Sequence, residues 1–276
     1  MQKKLKEEMI SSYLKTLCFF LLLVSVNASQ AGVNILPSTG IEIVATPGVV
    51  ANDSVLLKPS SDQTTALQYR LRTLRSDDQE IDKSRVKVKN RYTKGAQSLD
   101  RYRTFLSGQE KSNPVTSTVE FKPTWSDIPG IYISSLAANG NASDIPLKIT
   151  IKPKSLFTLQ PANFTIATSS LKAPIISEVN IVMGSNSPRW ELYLVAENLK
   201  FQSGRNKIKN DRVFARVKDE QNPKTWKLLN KKTKFVSGIA TSVVTIATLE
   251  FLVESERDDQ AGDYLGNIKF LVRNFK

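Results

Sequence analysis

The chain has 276 residues, a length that suggests one or two domains of ordinary size. Apolar residues make up 40% and charged residues 24%, so the chain can bury real cores and is not intrinsically disordered. Lys and Arg outnumber Asp and Glu by 39 to 26, a formal net charge of +13, and histidine is absent. This composition excludes catalytic triads and zinc sites that depend on histidine.

The N-terminus has the three parts of a secretion signal. Four lysines lie in residues 1–16, the apolar run LCFFLLLVSV occupies residues 17–26, and small residues follow in VNASQAG. Cleavage after Ala28 or after Ala31 fits this pattern equally well. The alternative is a retained membrane anchor, but a ten-residue helix spans only about 15 Å, half of a bilayer core. We therefore expect residues 1–31 to be a signal peptide, and the protein to be secreted, periplasmic or on the cell surface.

Cleavage would leave a basic chain without cysteine. Cys18, the only cysteine, lies in the leader, so the mature protein cannot form a disulfide. Loss of the four Lys and two Glu of residues 1–31 lowers the net charge from +13 to +11. A protein this basic is drawn to polyanions such as anionic lipids and wall polymers, although the charge could also serve solubility alone. No later segment has the roughly 18 continuous apolar residues of a transmembrane span.

Short alternating runs of apolar and polar residues fill the rest of the chain and predict β-strands. Gly, Pro, Asn, Asp and Ser bound these runs, as in sandwiches and barrels. The clearest runs are IEIV (41–44), VLL (55–57), RVKVKNRY (85–92), LKITI (147–151), WELYLV (190–195), SVVTIATLEFLV (242–253) and NIKFLV (267–272). We predict an all-β fold with two tandem Ig-like antiparallel β-sandwich domains after the signal peptide.

The mature chain also contains a long-period duplication. Segments of the two copies match in the same order, with offsets that rise along the chain from 123 through 127 and 130 to 132. The matches are LQYRL (67–71) with WELYL (190–194), Arg85-Val86 with Arg212-Val213, VEF (119–121) with LEF (249–251), and SDIPGIY (126–132) with DDQAGDY (258–264). A turn-rich stretch, AANGNASDIP (137–146), separates the copies, so we predict domains at residues 32–146 and 147–276.

The second half resembles secreted bacterial β-sandwich modules. Residues 179–199 (VNIVMGSNSPRWELYLVAENL) are similar to the strand–turn–strand core of these modules, with Trp190 as its buried Trp. Residues 261–272 (AGDYLGNIKFLV) resemble the closing hairpin of fimbrial-type, spore-coat-U-like and WxL-like surface proteins. The resemblance covers residues 147–276 and implies a sandwich fold and a surface setting, not a specific activity. The first half matches less well, because PGIYISSL (129–136) lacks the second Gly and the long apolar strand.

The main candidate site is a row of cations at alternating positions, Arg85, Lys87, Lys89 and Arg91. If these residues form one strand, the row occupies one face and the other face packs inward. The row would contact an anionic envelope polymer, or it is a solvated face or an edge strand charged against edge-to-edge pairing. Two further basic clusters occur, Arg205, Lys207, Lys209 and Arg212 in one and Lys231, Lys232 and Lys234 in the other.

Other motifs have structural interpretations. The acidic pairs Asp77-Asp78 and Asp258-Asp259 lack the ligand spacing of a calcium loop, so we predict turns. LPSTG (36–40) matches a sortase motif, but it follows the leader instead of preceding a C-terminal apolar segment, so a turn is predicted there too. The Asn-x-Ser/Thr triplets at Asn52, Asn141 and Asn163 are weak matches to a short pattern.

No acid, base and nucleophile can be assembled from these residues, so we predict a protein that is not an enzyme and uses no metal or cofactor. Nucleic acid is a poor candidate partner, because aromatic residues do not interleave with the basic runs. The first hypothesis is a structural or adhesive component of a bacterial envelope, such as a pilus, coat or surface-assembly subunit, with other envelope proteins as partners.

Two alternatives remain. One is a module that binds a carbohydrate or an anionic wall polymer, for which Tyr92, Tyr102 and Trp125 are the candidate aromatic residues. The other is a chaperone-like periplasmic accessory with a free edge strand. A sandwich that is completed by a neighbour's strand would have to lack a strand of its own, and we expect such a gap in the first domain, whose last strand is short.

Overall fold

The computed structural model describes residues 33–59, 65–77, 79–108, 113–140, 142–162, 176–218 and 225–275. The predicted signal peptide at residues 1–31, with Cys18, lies outside these residues, as do Asp78, Asn141 and Asn163. The described chain consists of β-strands and two short 3-10 turns, joined by loops. The prediction of an all-β sandwich fold is confirmed.

The first half, residues 33–151, contributes twelve strands among the residues described. They are β1 (Val33–Leu36), β2 (Ile41–Ala45), β3 (Ala51–Pro59), β4 (Leu67–Leu71), β5 (Leu74–Arg75), β6 (Glu80–Ile81), β7 (Val86–Lys89), β8 (Gln97–Ser98), β9 (Arg103–Leu106), β10 (Val115–Phe121), β11 (Gly130–Ala138) and β12 (Ile145–Ile151). A 3-10 turn, Lys83–Arg85, precedes β7. Every second side chain of β2 and β12 is buried, because each strand has one face on the core.

The second half, residues 155–275, contributes eleven strands among the residues described. They are β13 (Ser155–Gln160), β14 (Ser177–Ser185), β15 (Arg189–Ala196), β16 (Leu199–Phe201), β17 (Lys207–Ile208), β18 (Val213–Val217), β19 (Lys227–Leu228), β20 (Thr233–Gly238), β21 (Thr241–Val253), β22 (Tyr264–Leu265) and β23 (Ile268–Phe275). A 3-10 turn, Asn210–Arg212, precedes β18.

The strands of the first half form two sheets around one core. The front sheet has the order β1-β3-β10-β7-β8, and the back sheet has the order β2-β12-β11-β4-β9, with β5 and β6 attached beside β11. Neighbouring strands are antiparallel except β2 and β12, which run parallel. Side chains from both sheets, including Val55, Val119, Tyr69 and Ile149, belong to a single buried cluster.

The second half has the same two-layer arrangement. Its front sheet has the order β13-β14-β21-β18-β19, its back sheet the order β20-β15-β23, and a short sheet β17-β16-β22 adjoins them. Ile181, Leu192, Val213 and Phe251 belong to a buried cluster that is separate from that of the first half. Two clusters, each between its own sheets, agree with the two sandwiches that the sequence predicts.

The halves repeat the same hydrogen bonds at the spacing of the duplication. The amide of Leu99 donates to the carbonyl of Val86 at 2.9 Å, and that of Leu229 donates to Val213 at 2.9 Å. A tyrosine hydroxyl donates to the carbonyl four residues earlier in each half, from Tyr132 to Ile128 and from Tyr264 to Gln260, at 2.9 Å in both. Backbone positions and side chains are therefore shared between the copies.

The most specific shared contact is an arginine–aspartate pair. Arg85 Nη1 donates to Asp127 Oδ1 at 2.8 Å, and its second nitrogen binds the other carboxylate oxygen. Arg212 forms the same bidentate pair with Asp259, and both nitrogen–oxygen distances are 2.8 Å. Each pair joins the 3-10 turn that enters the front sheet to the turn before β11 or β22. We call these two pairs the clamps.

Each clamp carboxylate also caps its own turn. Asp127 accepts the amide of Thr124 at 2.6 Å, and Asp259 accepts the amide of Glu256 at 2.7 Å. Burial would raise the pKa of the Asp127 carboxyl, but the hydrogen bonds from Arg85 and Thr124 outweigh it and lower that pKa. The hydrogen bond from Arg212 likewise lowers the pKa of Asp259. Both carboxylates therefore stay ionised in the folded protein at neutral pH.

Two details of the predicted layout need correction. The strand at 147–151, expected to open the second domain, lies in the back sheet of the first half as part of β12, between β11 and β2. Its alternating pattern fits either half, and only the pairing assigns it. The upstream alignment is also shifted, because the same bulge in β4 and β15 makes Leu192, not Trp190, the counterpart of Leu67.

Trp190 is buried, as the resemblance implies. Its ring nitrogen donates to the carbonyl of Ile239 at 2.7 Å, so the polar edge of the indole is satisfied. Gly238 lies directly against the ring, and a Cβ at that position would come within 2.5 Å of it. A residue larger than glycine there would displace Trp190 from the core.

A buried asparagine connects the halves. The side-chain nitrogen of Asn186 donates to the carbonyls of Asp127 and Lys152, at 3.1 and 3.2 Å, and its oxygen accepts the amide of Lys154 at 2.7 Å. Lys154 reaches back to the carbonyl of Pro47 at 2.8 Å. The junction between the halves is therefore short, polar and fully hydrogen-bonded at Asn186.

Breaking a clamp should destabilise its half. Asp127 is only 4% exposed and Arg85 27% exposed, so Asp127→Asn leaves a guanidinium without its counter-charge. We expect the free energy of unfolding, measured by urea denaturation, to fall by about 1.5–3 kcal/mol, the range for a hydrogen bond to a charged group. The matched control is Arg72→Ala, which breaks the exposed Arg72–Asp144 pair and should change the free energy by about 0–1 kcal/mol. Equal losses in the two variants would contradict the structural role of the clamp.

Candidate functional site

The predicted cationic row does not form. Lys87 and Lys89 lie on the exposed face of β7, but Arg85 lies in the preceding 3-10 turn and is held by Asp127. Arg91 lies in the turn after β7, against the ring of Tyr92. The edge-strand interpretation is wrong as well, because β7 is paired on both sides, by β10 and β8. The four residues do not make one continuous anion-binding strand face.

The other basic clusters have different outcomes. In the first cluster, Arg205, Lys207 and Lys209 are exposed, but Arg212 belongs to a clamp. In the second cluster, Lys234 binds Glu191 and Lys232 lies over the ring of Tyr193 at 4.5 Å. Lys232 and Lys234 therefore belong to a surface of the second half whose side chains contact one another, described below.

The predicted turns are confirmed where the structure describes them. Residues 37–40 of the LPSTG segment form a turn, closed by the amide of Gly40 and the carbonyl of Pro37 at 3.1 Å. Asp259 lies in the turn that its clamp stabilises. The three candidate carbohydrate-stacking aromatics each carry a cation over the ring, Arg91 over Tyr92, Arg70 over Tyr102 and Lys154 over Trp125.

A difference between the halves lies along one strand edge. In the first half, β11 from Gly130 to Leu136 pairs residue by residue with β12. The counterpart in the second half, by the offset of 132, runs from Gly262 to Ile268 and continues along β23. This edge pairs with β16 and β15 on one side, and no strand among the described residues pairs with it on the other. We call it the open edge, and it runs along Tyr264–Phe275.

The core beside the open edge is less completely covered. In the first half, β12 places Ile145, Leu147, Ile149 and Ile151 in the core, all nearly inaccessible to solvent. Tyr132 and Leu136, which pack beside them, are 1% and 0% exposed. Their counterparts, Tyr264 and Ile268, are only partly buried, and so are Phe270 and Val272 further along β23. In the first half β12 fills the place along β11, so the expectation of a gap in the first domain is wrong.

Aromatic rings line the partly covered region. Phe270 of β23 contacts Phe157 of β13 with ring centroids 5.7 Å apart, and it contacts Phe251 of β21 at 6.3 Å. Phe251 is buried, whereas Phe157 and Phe270 retain solvent exposure. The open edge therefore combines an accessible apolar surface with main-chain groups that no strand of the described residues pairs, which are the two elements that bind an added strand.

The outer face of the same back sheet is cationic. Four basic residues, which we call the basic face, surround one carboxylate on this surface: Arg189, Lys232, Lys234 and Arg273 around Glu191. Glu191 is 7% exposed and accepts hydrogen bonds from Lys234 at 2.6 Å, from Arg189 at 2.7 Å and from the Tyr193 hydroxyl. Hydrogen bonds from Lys234, Tyr193 and Arg189 lower the pKa of Glu191 from 4.5 to about 2.

The described residues offer no metal site of the usual kind. No group of three or more His, Cys, Asp or Glu side chains among them is placed to hold an ion. Within the same residues, no helix has the length and apolarity that a membrane crossing requires. The arrangement supports binding of a strand and of anions through hydrogen bonds, apolar contact and charge.

Sequence comparisons give no family: no family model and no curated protein sequence matches the chain. The chain is similar in structure to the CsuC–CsuE chaperone–tip adhesion subunit pre-assembly complex of the archaic chaperone–usher Csu pili of Acinetobacter baumannii, with 13% identity over 85% of this chain and 97% of that chain and a TM-score of 0.42. It is also similar to a chaperone–tip adhesin complex of CFA/I fimbriae, with 10% identity over 85% and 95% and a TM-score of 0.30.

Tandem Ig domains of titin are similar too, with 10% identity over 88% of this chain and 95% of that chain and a TM-score of 0.25. At these identities and TM-scores the likenesses carry no argument about what the chain binds or does.

Sequence reasoning missed the clamps, the open edge and the basic face. Both members of each clamp lay in the aligned repeat, Arg85 with Arg212 and Asp127 with Asp259, so a charge pair kept in both copies was an available signal. Lys232 and Lys234 were noticed, but their partners Glu191 and Arg273 come from other strands. That meeting depends on the pairing of β15 with β20 and β23.

The pKa of Glu191 predicts an acid dependence of stability. Its folded-state pKa of about 2 lies below its ordinary value of 4.5, so the stabilisation is complete above that value and is lost as the pH falls towards 2. Glu191→Gln should therefore flatten the decline of unfolding free energy between pH 5 and pH 2 in urea titrations. Tyr193→Phe, which removes one donor, should move the decline to higher pH. Identical profiles for wild type and Glu191→Gln would contradict the assignment.

Proposed function

We propose that this protein is an exported, non-catalytic structural or adhesive component of a bacterial cell envelope, and that it assembles with other envelope proteins by accepting a β-strand at the open edge. A comparison of the two halves supports this assembly mode. The edge that β12 covers in the first half has no partner among the described residues of the second half. Export rests on the leader at residues 1–31.

The first half defines the strand that fits. β12 runs antiparallel to β11 and buries an apolar side chain at every second position, from Ile145 to Ile151. A partner strand with the same pattern would supply main-chain hydrogen bonds and cover Tyr264, Ile268 and Phe270. Each apolar side chain buried contributes about 1.5–3 kcal/mol before the cost of association, which is about 4–15 kcal/mol. A partner strand with four inward apolar side chains, as β12 has from Ile145 to Ile151, would therefore bind reversibly.

We also propose that the halves are separate domains, with their boundary at residues 152–154 instead of 146/147. This stretch joins β12, which belongs to the first core, to β13, which belongs to the second half. Each half has its own buried cluster and its own clamp. An edge that is open in the second half alone would place assembly at that half.

The test uses the first half's own closing strand as a probe. A labelled peptide of residues 143–153 (SDIPLKITIKP) is added to the purified 276-residue chain. We expect a Kd on the order of 10 μM and new hydrogen-exchange protection of the amides of Tyr264–Phe275. The control peptide carries Leu147→Asp and Ile149→Asp, which place charges on the inward face and should abolish binding.

Two outcomes would overturn this assembly mode. No binding by the wild-type peptide, with no new protection along Tyr264–Phe275, would contradict strand addition at this edge. Protection that appears along β11 and β2 instead would mean that the peptide exchanges with β12 and not that it fills an open edge.

A further inference from the structure

The basic face is a fixed arrangement of charges. Arg189 and Glu191 point outward from β15, in alternation with the buried Trp190 and Leu192. Arg273 of β23 is directly opposite Glu191, and Lys234 of β20 approaches from the other side. The four cations around one carboxylate leave a local charge of +3 on the outer surface of the sheet.

Contacts with aromatic rings also fix the positions of these cations. Two guanidinium groups contact the ring of Phe275, with Arg189 5.1 Å and Arg273 4.7 Å from its ring centroid. Lys232 lies 4.5 Å from the ring centroid of Tyr193, whose hydroxyl binds Glu191. Each basic side chain therefore has a defined position before any ligand arrives, which lowers the entropy lost on binding.

The fold itself does not require these charges. By the offsets of 125 and 130, the first half places Ala66, Gln68, Tyr102 and Thr104 where the second half has Glu191, Tyr193, Lys232 and Lys234. The first half nevertheless forms the same β4–β9 pairing with the same bulge. The basic face is a surface added to a scaffold that folds without it.

From this geometry we propose that the basic face binds a linear polyanion whose repeating groups are phosphate or sulfate. Side chains two residues apart on one strand face are separated by about 7 Å, and neighbouring strands by about 4.8 Å. The face thus presents cations from three neighbouring strands, with Arg189 on β15, Arg273 on β23, Lys234 on β20 and Lys232 just before β20. Arginine favours phosphate and sulfate, because its planar donors bind two oxygens of such a group.

The same contacts disfavour other partners. Single-stranded nucleic acid needs open aromatic faces on which bases stack, whereas the ring of Phe275 contacts two arginines and that of Tyr193 contacts Lys232. A membrane surface would be bound more tightly by apolar side chains that insert, but the one strongly exposed apolar side chain of β23 on this side is Leu271.

The test compares two double variants that remove equal charge. Lys234→Ala with Arg273→Ala changes the basic face, and Lys87→Ala with Lys89→Ala changes exposed lysines of β7. Binding of heparin and of long-chain polyphosphate is measured by calorimetry from 50 to 300 mM salt. We expect the first variant to lose at least tenfold in affinity and to lower the salt slope by about 1.5, because each lost contact contributes about 0.7–0.9. The second should change affinity less than twofold.

Additional ligands and a single variant distinguish the possible outcomes. The heparin and polyphosphate titrations show whether sulfate or phosphate is preferred. Lys232→Ala, which leaves the bonds to Glu191 intact, should lose about threefold and covers the case in which the double variant fails to fold. Equal losses in both double variants would show that only overall charge matters and would overturn the proposal. Binding to vesicles with anionic phospholipid but to neither polymer would overturn it too.

Discussion

The two sandwiches depend on a part-buried ion pair that each of them repeats. In both halves an arginine in the 3-10 turn before a front-sheet strand holds an aspartate in the turn before β11 or β22. The partners are 42 and 47 residues apart in the chain, so the contact joins distant segments of each half. The aspartate also accepts a backbone amide of its turn, which leaves both of its oxygens occupied. Strand pairing alone would not specify that geometry.

Much of the scaffold follows from local pattern. Alternating burial in strands such as β2, β10 and β12 has period two, the simplest sequence signal there is, and it predicted an all-β chain. The duplication was also visible, because the residues of the clamps and the corner tyrosines Tyr132 and Tyr264 are shared by both copies. The alignment failed where identity was lowest, at β4 and β15, by two residues. A shift of two keeps the inward face inward, so periodicity could not detect it.

Strand pairing and the exposure of strand edges could not be predicted from the sequence. The run from Arg85 to Arg91 alternates like a strand, but an N-terminal 3-10 turn and a partner aspartate 42 residues away remove Arg85 from the row. The strand β12 has the same pattern whether it ends one sandwich or begins the next, and its place depends on contacts with β2 and β11. The open edge is a property of what does not pair with β23 among the described residues, and composition carries no record of that.

The hydrogen bonds of Asn186 have a mechanical consequence. Because the connection between β12 and β13 is three residues long and Asn186 ties both sides of it together, the halves have little freedom to swivel. Copies arrayed side by side would then display their charged surfaces at one angle and one spacing. A long polymer touching several copies would be retained by avidity, so that weak single contacts add up to durable attachment.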